Sequence, residues 1–169
     1  GGMEAARFGE ALRTTKGGRP DSNTYYAQGG LAAALAPGDS PAQHSADTVK
    51  TACGIGDEDV IRYAISEAPA HIAEMRDWGV GFDTSDGELT LGREGGHSKN
   101  RIVHADGDAT GRVLAEVLIE RAQQTDGLKL FDQCFVLDLV TDPDAGPACI
   151  GALTYHPRYG LQMIRARQT

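Results

Sequence analysis

The 169-residue chain carries 16 lysines and arginines against 24 aspartates and glutamates, for a formal net charge of -8, with 40% hydrophobic and 24% charged residues. That size and balance suit one folded domain with a real core and argue against disorder. The charge repels nucleic acid and anionic lipid, no run approaches the roughly 20 apolar residues of a membrane span, and no basic-then-apolar leader is present, so the expectation is a cytoplasmic protein with neither partner.

In chain order, residues 1–10 read as a turn opening into a short helix and 11–15 as a short strand, followed by a Gly- and Pro-bearing loop over 16–21. After Gly29-Gly30, the Ala-rich run 31–35 predicts the start of a helix. Pro37 to Pro41 ends it, and Asp39 and Ser40 start another that includes His44 and Val49. Asp57, Glu58 and Asp59 place acids in the first turn of a helix reaching about Ala68, with Val60, Ile61, Ala64 and Ile65 on its buried face. Pro69 then suits the first turn of a separate helix, in which Ile72, Met75 and Trp78 face inward until Gly79.

Residues 80–98 predict a hairpin-like excursion turning at Asp86-Gly87, and 101–105 a short strand. Asp108 to Gly111 opens a helix that buries Val113, Leu114, Val117, Leu118 and Ala122 and stops near Asp126-Gly127. Strands follow at 129–131, 134–140 and 149–155, the last two joined by a turn over 142–147. The pattern is α/β with a β-rich end. Cys53, Cys134 and Cys149 are odd in number and widely spaced, which disfavours a disulfide framework and a zinc site and predicts free thiols in a reducing compartment.

The chemistry concentrates in Ser22-Asn23-Thr24-Tyr25-Tyr26-Ala27-Gln28-Gly29-Gly30. Its short polar side chains can donate and accept hydrogen bonds, and the Gly-Gly pair removes side chains where a flat ligand must approach backbone. A helix begun by the Ala-rich run would add free N–H groups that favour an anion. Farther along stand Gly92-Arg93-Glu94-Gly95-Gly96-His97-Ser98 and the stretch Arg101-Ile102-Val103-His104-Ala105-Asp106-Gly107-Asp108-Ala109-Thr110-Gly111-Arg112.

These three blocks, in this order and at about this spacing, resemble the L-aspartate oxidase family, relatives of the succinate dehydrogenase and fumarate reductase flavoproteins. The resemblance runs from about Thr14 to about Gly151. It implies a Rossmann-like FAD-binding domain over 1–169, incomplete at both ends, within an enzyme several times longer that carries a capping domain and C-terminal helices. It also implies FAD-dependent oxidation of L-aspartate to iminoaspartate for quinolinate and NAD synthesis, with oxygen or fumarate as electron acceptor, and an inactive protein if this piece stands alone.

By the same resemblance, residues 22–30 hold the isoalloxazine: Ser22, Asn23, Thr24, Tyr25, Tyr26, Ala27, Gln28, Gly29 and Gly30. Lys16, after the second strand, lies near the adenosine end, where backbone at Phe135 and Val136 holds the adenine while their side chains read as core. Gly2 reads as the second glycine of a shortened Gly-x-Gly-x-x-Gly motif, with Ala5 as its third small residue; an N-terminal tag or frayed end is the alternative. Succinate dehydrogenases and fumarate reductases attach FAD through a histidine where this chain has Asn23, so dissociable, non-covalent FAD is implied. Glu94 matches the family's carboxylate that senses the substrate amino group, and an ammonium beside a carboxylate stabilises both charges. Arg93 and His97 could pair with Glu94 or with substrate carboxylates, and His104 reads as a core histidine. The competing readings are a succinate- or fumarate-type flavoprotein, a non-catalytic remnant or interaction domain, and a hydrolase whose metal ligands would be His97, His104, Asp106 and Asp108.

Overall fold

The computed structural model describes residues 2–18, 21–142, 144 and 148–167. It divides into two compact units, one made of Gly1–Ser22 with Leu118–Thr169 and the other of Asn23–Val117.

The first unit begins with α1 (Gly2–Ala6) and β1 (Ala11–Thr14). β1 pairs in parallel with β7 (Leu128–Phe131), from Ala11 opposite Leu128 to Thr14 opposite Phe131. A parallel pair needs a crossover rather than a tight turn, and the whole second unit lies between these strands in sequence. Beyond β7, β8 (Phe135–Asp142), β9 (Ala148–His156) and β10 (Gly160–Arg165) form an antiparallel meander in the order β10-β9-β8. β8 is irregular between Val136 and Asp138 and again between Val140 and Thr141, so its side chains do not keep one strict alternation. β10 was not expected, and it adds a third strand to the two expected ones in this sheet, β8 and β9. Of the expected turn over 142–147, residues 143 and 145–147 lie outside the described residues.

The second unit holds β2 (Leu31–Ala32), α2 (Pro41–Ala52), α3 (Glu58–Asp77), β3 (Thr84–Ser85), β4 (Glu88–Leu89), β5 (Leu91–Gly92), β6 (Ile102–Val103) and the first half of α4 (Thr110–Gln123). The Ala-rich run is a strand, not a helix. Leu31 and Ala32 pair with Val103 and Ile102 of β6, the Ala33 N–H donates to the Arg101 carbonyl at 2.9 Å, and Ala33 is fully buried. Helix propensity is worth tenths of a kcal/mol per alanine, less than a sheet position at the centre of a core offers small residues.

α2 starts as read from sequence: Ser40 caps it by accepting from the Gln43 N–H at 3.2 Å, and Pro41 occupies the first turn, where no donor is missed. Asp57 caps α3 the same way, accepting from the N–H groups of Asp59 and Val60. α3 then runs unbroken through Pro69, where a second helix was expected. Pro69 cannot donate to the Ile65 carbonyl, but Ile65 and Ile72 on either side are both buried, and continuous packing of that face outweighs the lost bond. The buried face is also narrower than expected. Ile61, Ile65, Ala68 and Ile72 line it at spacings of three and four, whereas Val60 is 62% exposed and Ala64 is exposed.

Asp86 and Gly87, with φ of 54° and 84°, make the turn between β3 and β4 as anticipated. The core joins Ala33, Ile72, Val80, Phe82, Val103, Ala105 and Leu114, so β2, α3, β6 and α4 share one apolar centre.

Candidate functional site

Residues 23–30 form an irregular loop leading into β2. Asn23, Thr24, Tyr26, Ala27, Gln28 and Gly29 are exposed, whereas Tyr25 is half-buried with its ring edge-on to Tyr26. The loop is held from inside: the Ala27 N–H donates to the Thr24 carbonyl at 3.1 Å, and the Gly111 N–H at the start of α4 donates to the Ala27 carbonyl at 3.0 Å. The two glycines divide their work. A Cβ on Gly30 would strike the Val103 carbonyl and lie 2.5 Å from Ile102 Cγ2, so Gly30 lets the chain lie against β6. A Cβ on Gly29 would meet nothing within 4 Å, which leaves backbone at Gly29 open to a ligand.

Glu94 comes next to this loop through one histidine. β5 and β6 pair with Gly92 opposite Ile102, so the excursion over 93–100 returns to the sheet beside its point of departure, and His104 follows β6 directly. The His104 Nε2 lies 3.8 Å from Glu94 Oε1, and its Cδ2 is 3.0 Å from the position a Cβ of Gly30 would take. His104 is therefore a half-buried link between Glu94 and the glycine pair rather than the core residue expected. The Glu94 carboxylate is 58% exposed, free to meet a ligand.

Beneath the excursion lies a buried ion cluster that the sequence reading did not identify. The Arg101 side chain is fully buried, and its Nε and Nη2 donate to the two oxygens of the equally buried Asp39, at 2.9 and 2.8 Å. Arg101 Nη1 donates to Asp47 Oδ2 at 2.7 Å and lies 3.3 Å from His97 Nδ1. His97 thus turns toward Arg101 instead of pairing with the Glu94 carboxylate, and Arg93 is exposed. Burial pushes the Asp39 carboxyl up, but the Arg101 hydrogen bonds, the Ser40 N–H and the Arg101 charge outweigh it and leave Asp39 below its usual range. The Ser98 hydroxyl and N–H, then Arg101, hold Asp47 far below that range. Burial would strip the Arg101 proton, yet the two aspartates raise its affinity for it. His44 is pushed down by burial and then by the charges of Arg101 and His97; its ring lies 5.4 Å from His97, and its Nδ1 is buried without a hydrogen-bond partner among the described residues. One signal was available: an arginine opening a central strand before Ile102 and Val103 must be buried, and a buried guanidinium needs carboxylates.

In the first unit, Lys16 is exposed in the loop after β1, and this loop meets the start of β8. The Cys134 N–H donates to the Thr15 carbonyl at 2.8 Å and the Gln133 N–H to the Gly17 carbonyl at 3.0 Å. Lys16, Phe135 and Val136 therefore gather at the carboxyl ends of the parallel strands β1 and β7, where open α/β sheets bind ligands. Phe135 and Val136 are 48% and 40% exposed, not the core side chains expected. Gly2 opens α1, and a Cβ there would lie 3.2 Å from Leu128 Cδ1, so its smallness serves helix-on-strand packing. Ser22 is half-buried at the end of the segment.

Among the described residues no group of three or more His, Cys, Asp or Glu side chains is placed to hold a metal. Asp106 instead pairs with Arg112 at 2.5 Å, and His104 with Glu94. Cys53 and Cys134 are free thiols, and among the described residues no helix is long and apolar enough to cross a membrane.

The chain is 43% identical over 141 residues to an L-aspartate oxidase of Streptomyces coelicolor, 81% of this chain and 24% of that one. It is 38% identical over 158 residues to an L-aspartate oxidase of Bacillus subtilis, 93% of this chain and 29% of that one. It thus spans about a quarter of the length of the curated relatives it matches. Among solved structures, a variant of the E. coli quinol fumarate reductase FrdA superposes with a TM-score of 0.90 at 27% identity, covering 98% of this chain and 28% of that chain. A family model described as an FAD binding domain matches residues 2–168. The chain therefore belongs to the FAD binding domain family, in agreement with its α/β fold and with the resemblance carried by its three motifs.

Proposed function

We propose that this chain is the FAD-binding part of a longer enzyme that oxidises L-aspartate to iminoaspartate, supplying the first intermediate of quinolinate and NAD synthesis. The observation that carries the reading is the run from open backbone at Gly29, through Gly30 and His104, to the exposed carboxylate of Glu94. The residues fit the cofactor: an exposed polar loop with an unobstructed glycine suits a flat ring system, and the exposed Lys16 at the strand ends suits a phosphate-bearing partner. Residues 23–29 would hold the isoalloxazine, and Lys16 with the backbone at Phe135 and Val136 the adenosine end. Asn23 offers no imidazole for a covalent link, so the FAD would be dissociable.

FAD, when bound, supplies a two-electron acceptor for the hydride of the substrate α-carbon, and oxygen or fumarate would reoxidise it. Glu94 would bind the substrate ammonium and orient the α-carbon, and His104, 3.8 Å away, would steady the carboxylate. A succinate-type dehydrogenase is the rival, favoured by the 0.90 TM-score to the fumarate reductase; it has no use for a carboxylate that recognises an ammonium. Two measurements test the proposal. FAD added to the chain should shift its visible absorption and be recovered intact after denaturation; no uptake, or a covalent adduct, overturns the cofactor assignment. In an enzyme extended to the length of its relatives, Glu94→Gln should raise KM for aspartate about tenfold, and an unchanged KM removes Glu94 from the substrate site.

A further inference from the structure

We infer that Ser98 and Asp47 form a latch that positions Glu94: Asp47 on α2 grips Ser98, and that grip fixes the excursion over 93–100 so that the Glu94 carboxylate stays beside His104. This rests on the reading that Glu94 meets substrate; the latch itself rests on geometry alone. Both Ser98 groups converge on one oxygen, the N–H at 2.8 Å and the hydroxyl at 2.7 Å from Asp47 Oδ2. The same oxygen accepts from Arg101 Nη1 at 2.7 Å, and Arg101 is in turn anchored on the buried Asp39. Gln43, one turn earlier on α2, reaches the Ser98 hydroxyl at 3.4 Å.

The excursion is thereby tied at each stage of its path. It leaves the sheet at Gly92, whose carbonyl accepts from the Arg101 N–H at 2.9 Å, and it turns at Glu94, whose carbonyl accepts from the His97 N–H at 3.3 Å. It crosses α2 at Gly96, where φ is 85° and a Cβ would lie 2.9 Å from Thr51 Oγ1. Residues 93–96 are all exposed, so apolar burial does not hold this stretch. Charge-assisted hydrogen bonds to an ionised carboxylate are the strong fastenings available, and Ser98 supplies two of them. An exposed loop that must keep one carboxylate in place needs such a fastening, since loops otherwise open at little cost.

The test uses the 169-residue chain and needs no flavin. Backbone amide exchange at residues 95–98 and the nuclear Overhauser contact between the Glu94 and His104 side chains are compared in the parent, Ser98→Ala and Ser98→Thr. Ser98→Ala removes only the hydroxyl's bonds and keeps the residue 98 N–H bond and the Asp47–Arg101 pair, so the chain should still fold, with a urea midpoint lowered by no more than the loss of those bonds. Its exchange over 95–98 should quicken about tenfold and the Glu94–His104 contact should fade, while Ser98→Thr, which keeps the hydroxyl, should restore both. A Ser98→Ala chain with parental exchange and an intact contact overturns the latch, as does failure of Ser98→Thr to rescue. If these patterns hold but the parent takes up no FAD, the latch stands and the flavoenzyme reading is what fails.

Discussion

Replacing Arg101 by methionine tests the buried ion cluster most directly. The substitution keeps an unbranched apolar stem but removes both members of the fork that holds Asp39, whose side chain is 0% exposed. Asp39 would retain the Ser40 N–H at 2.9 Å and lose the guanidinium that is its chief compensating charge. Breaking one partner out of a buried pair costs about 3–5 kcal/mol, because the other charge stays desolvated and unpaired. Against the roughly 5–15 kcal/mol that stabilises a domain, this is about a fifth of the total or more, and it should lower Tm by roughly 6–20 °C at this chain length. The pH dependence carries a second signature. In the parent, Asp39 has a lowered pKa, so its contribution is present above the ordinary carboxylate value of 3.8 and is lost as pH falls through the folded value. In Arg101→Met the lone buried carboxyl should bind a proton more tightly folded than unfolded, so the deficit should shrink as pH falls from 7 toward 4. Urea unfolding followed by circular dichroism, at several pH values, measures both. Adding Asp39→Asn to Arg101→Met should recover part of the loss at pH 7. A deficit below about 1 kcal/mol that does not vary with pH would refute the uncompensated-charge reasoning.

His44 and Gly111 yield two further expectations. The His44 pKa is lowered from 6.5, so the unfolded chain takes up a proton that the folded one resists; stability should fall as pH drops below about 6.5, and His44→Gln should flatten that slope in thermal melts between pH 7 and 5. A Cβ on Gly111 would collide with the Thr24 carbonyl and lie 2.6 Å from the Ala27 carbonyl. Gly111→Ala should therefore cost about 1–3 kcal/mol in urea unfolding and shift the amide resonances of residues 24–28 more than those of α3; a shift pattern centred elsewhere contradicts the close approach.

Local chemistry was legible where one residue type had one good use. Ser40 and Asp86-Gly87 were read correctly because a helix start and a tight turn demand a short acceptor and positive φ at fixed offsets, whereas Asp57, read as part of the first turn, is the cap just before it. Pro69 misled because the rule for proline is local while the burial of Ile65 and Ile72 is not. Phe135 and Val136 were read as core because apolar strand residues usually are, yet a three-stranded meander has two faces and sequence does not say which one is covered. Arg101 itself signalled a buried guanidinium in need of carboxylates, but which ones could not be read: Asp47 and Asp39 are 54 and 62 positions away, and no spacing rule joins them.

The misread Ala-rich run changes the electrostatics of the candidate site more than it changes the fold. As a helix, residues 31–35 would have aimed free N–H groups at a ligand in the loop. As β2 they donate inward, Ala33 to the Arg101 carbonyl, and offer the loop no dipole. The helix whose N-terminus does reach the loop is α4, and there the Gly111 N–H is committed to the Ala27 carbonyl while the Thr110 hydroxyl accepts from Ala105. Positive potential from helix ends is thus used to brace the loop itself. A flavin lying on residues 23–29 would therefore be held in this unit by exposed amide and hydroxyl groups, of which Asn23, Thr24 and Gln28 supply the side chains. Neutral hydrogen bonds in an exposed setting contribute about 1 kcal/mol each, so Asn23→Ala and Gln28→Ala should each weaken any FAD binding severalfold, with little dependence on salt.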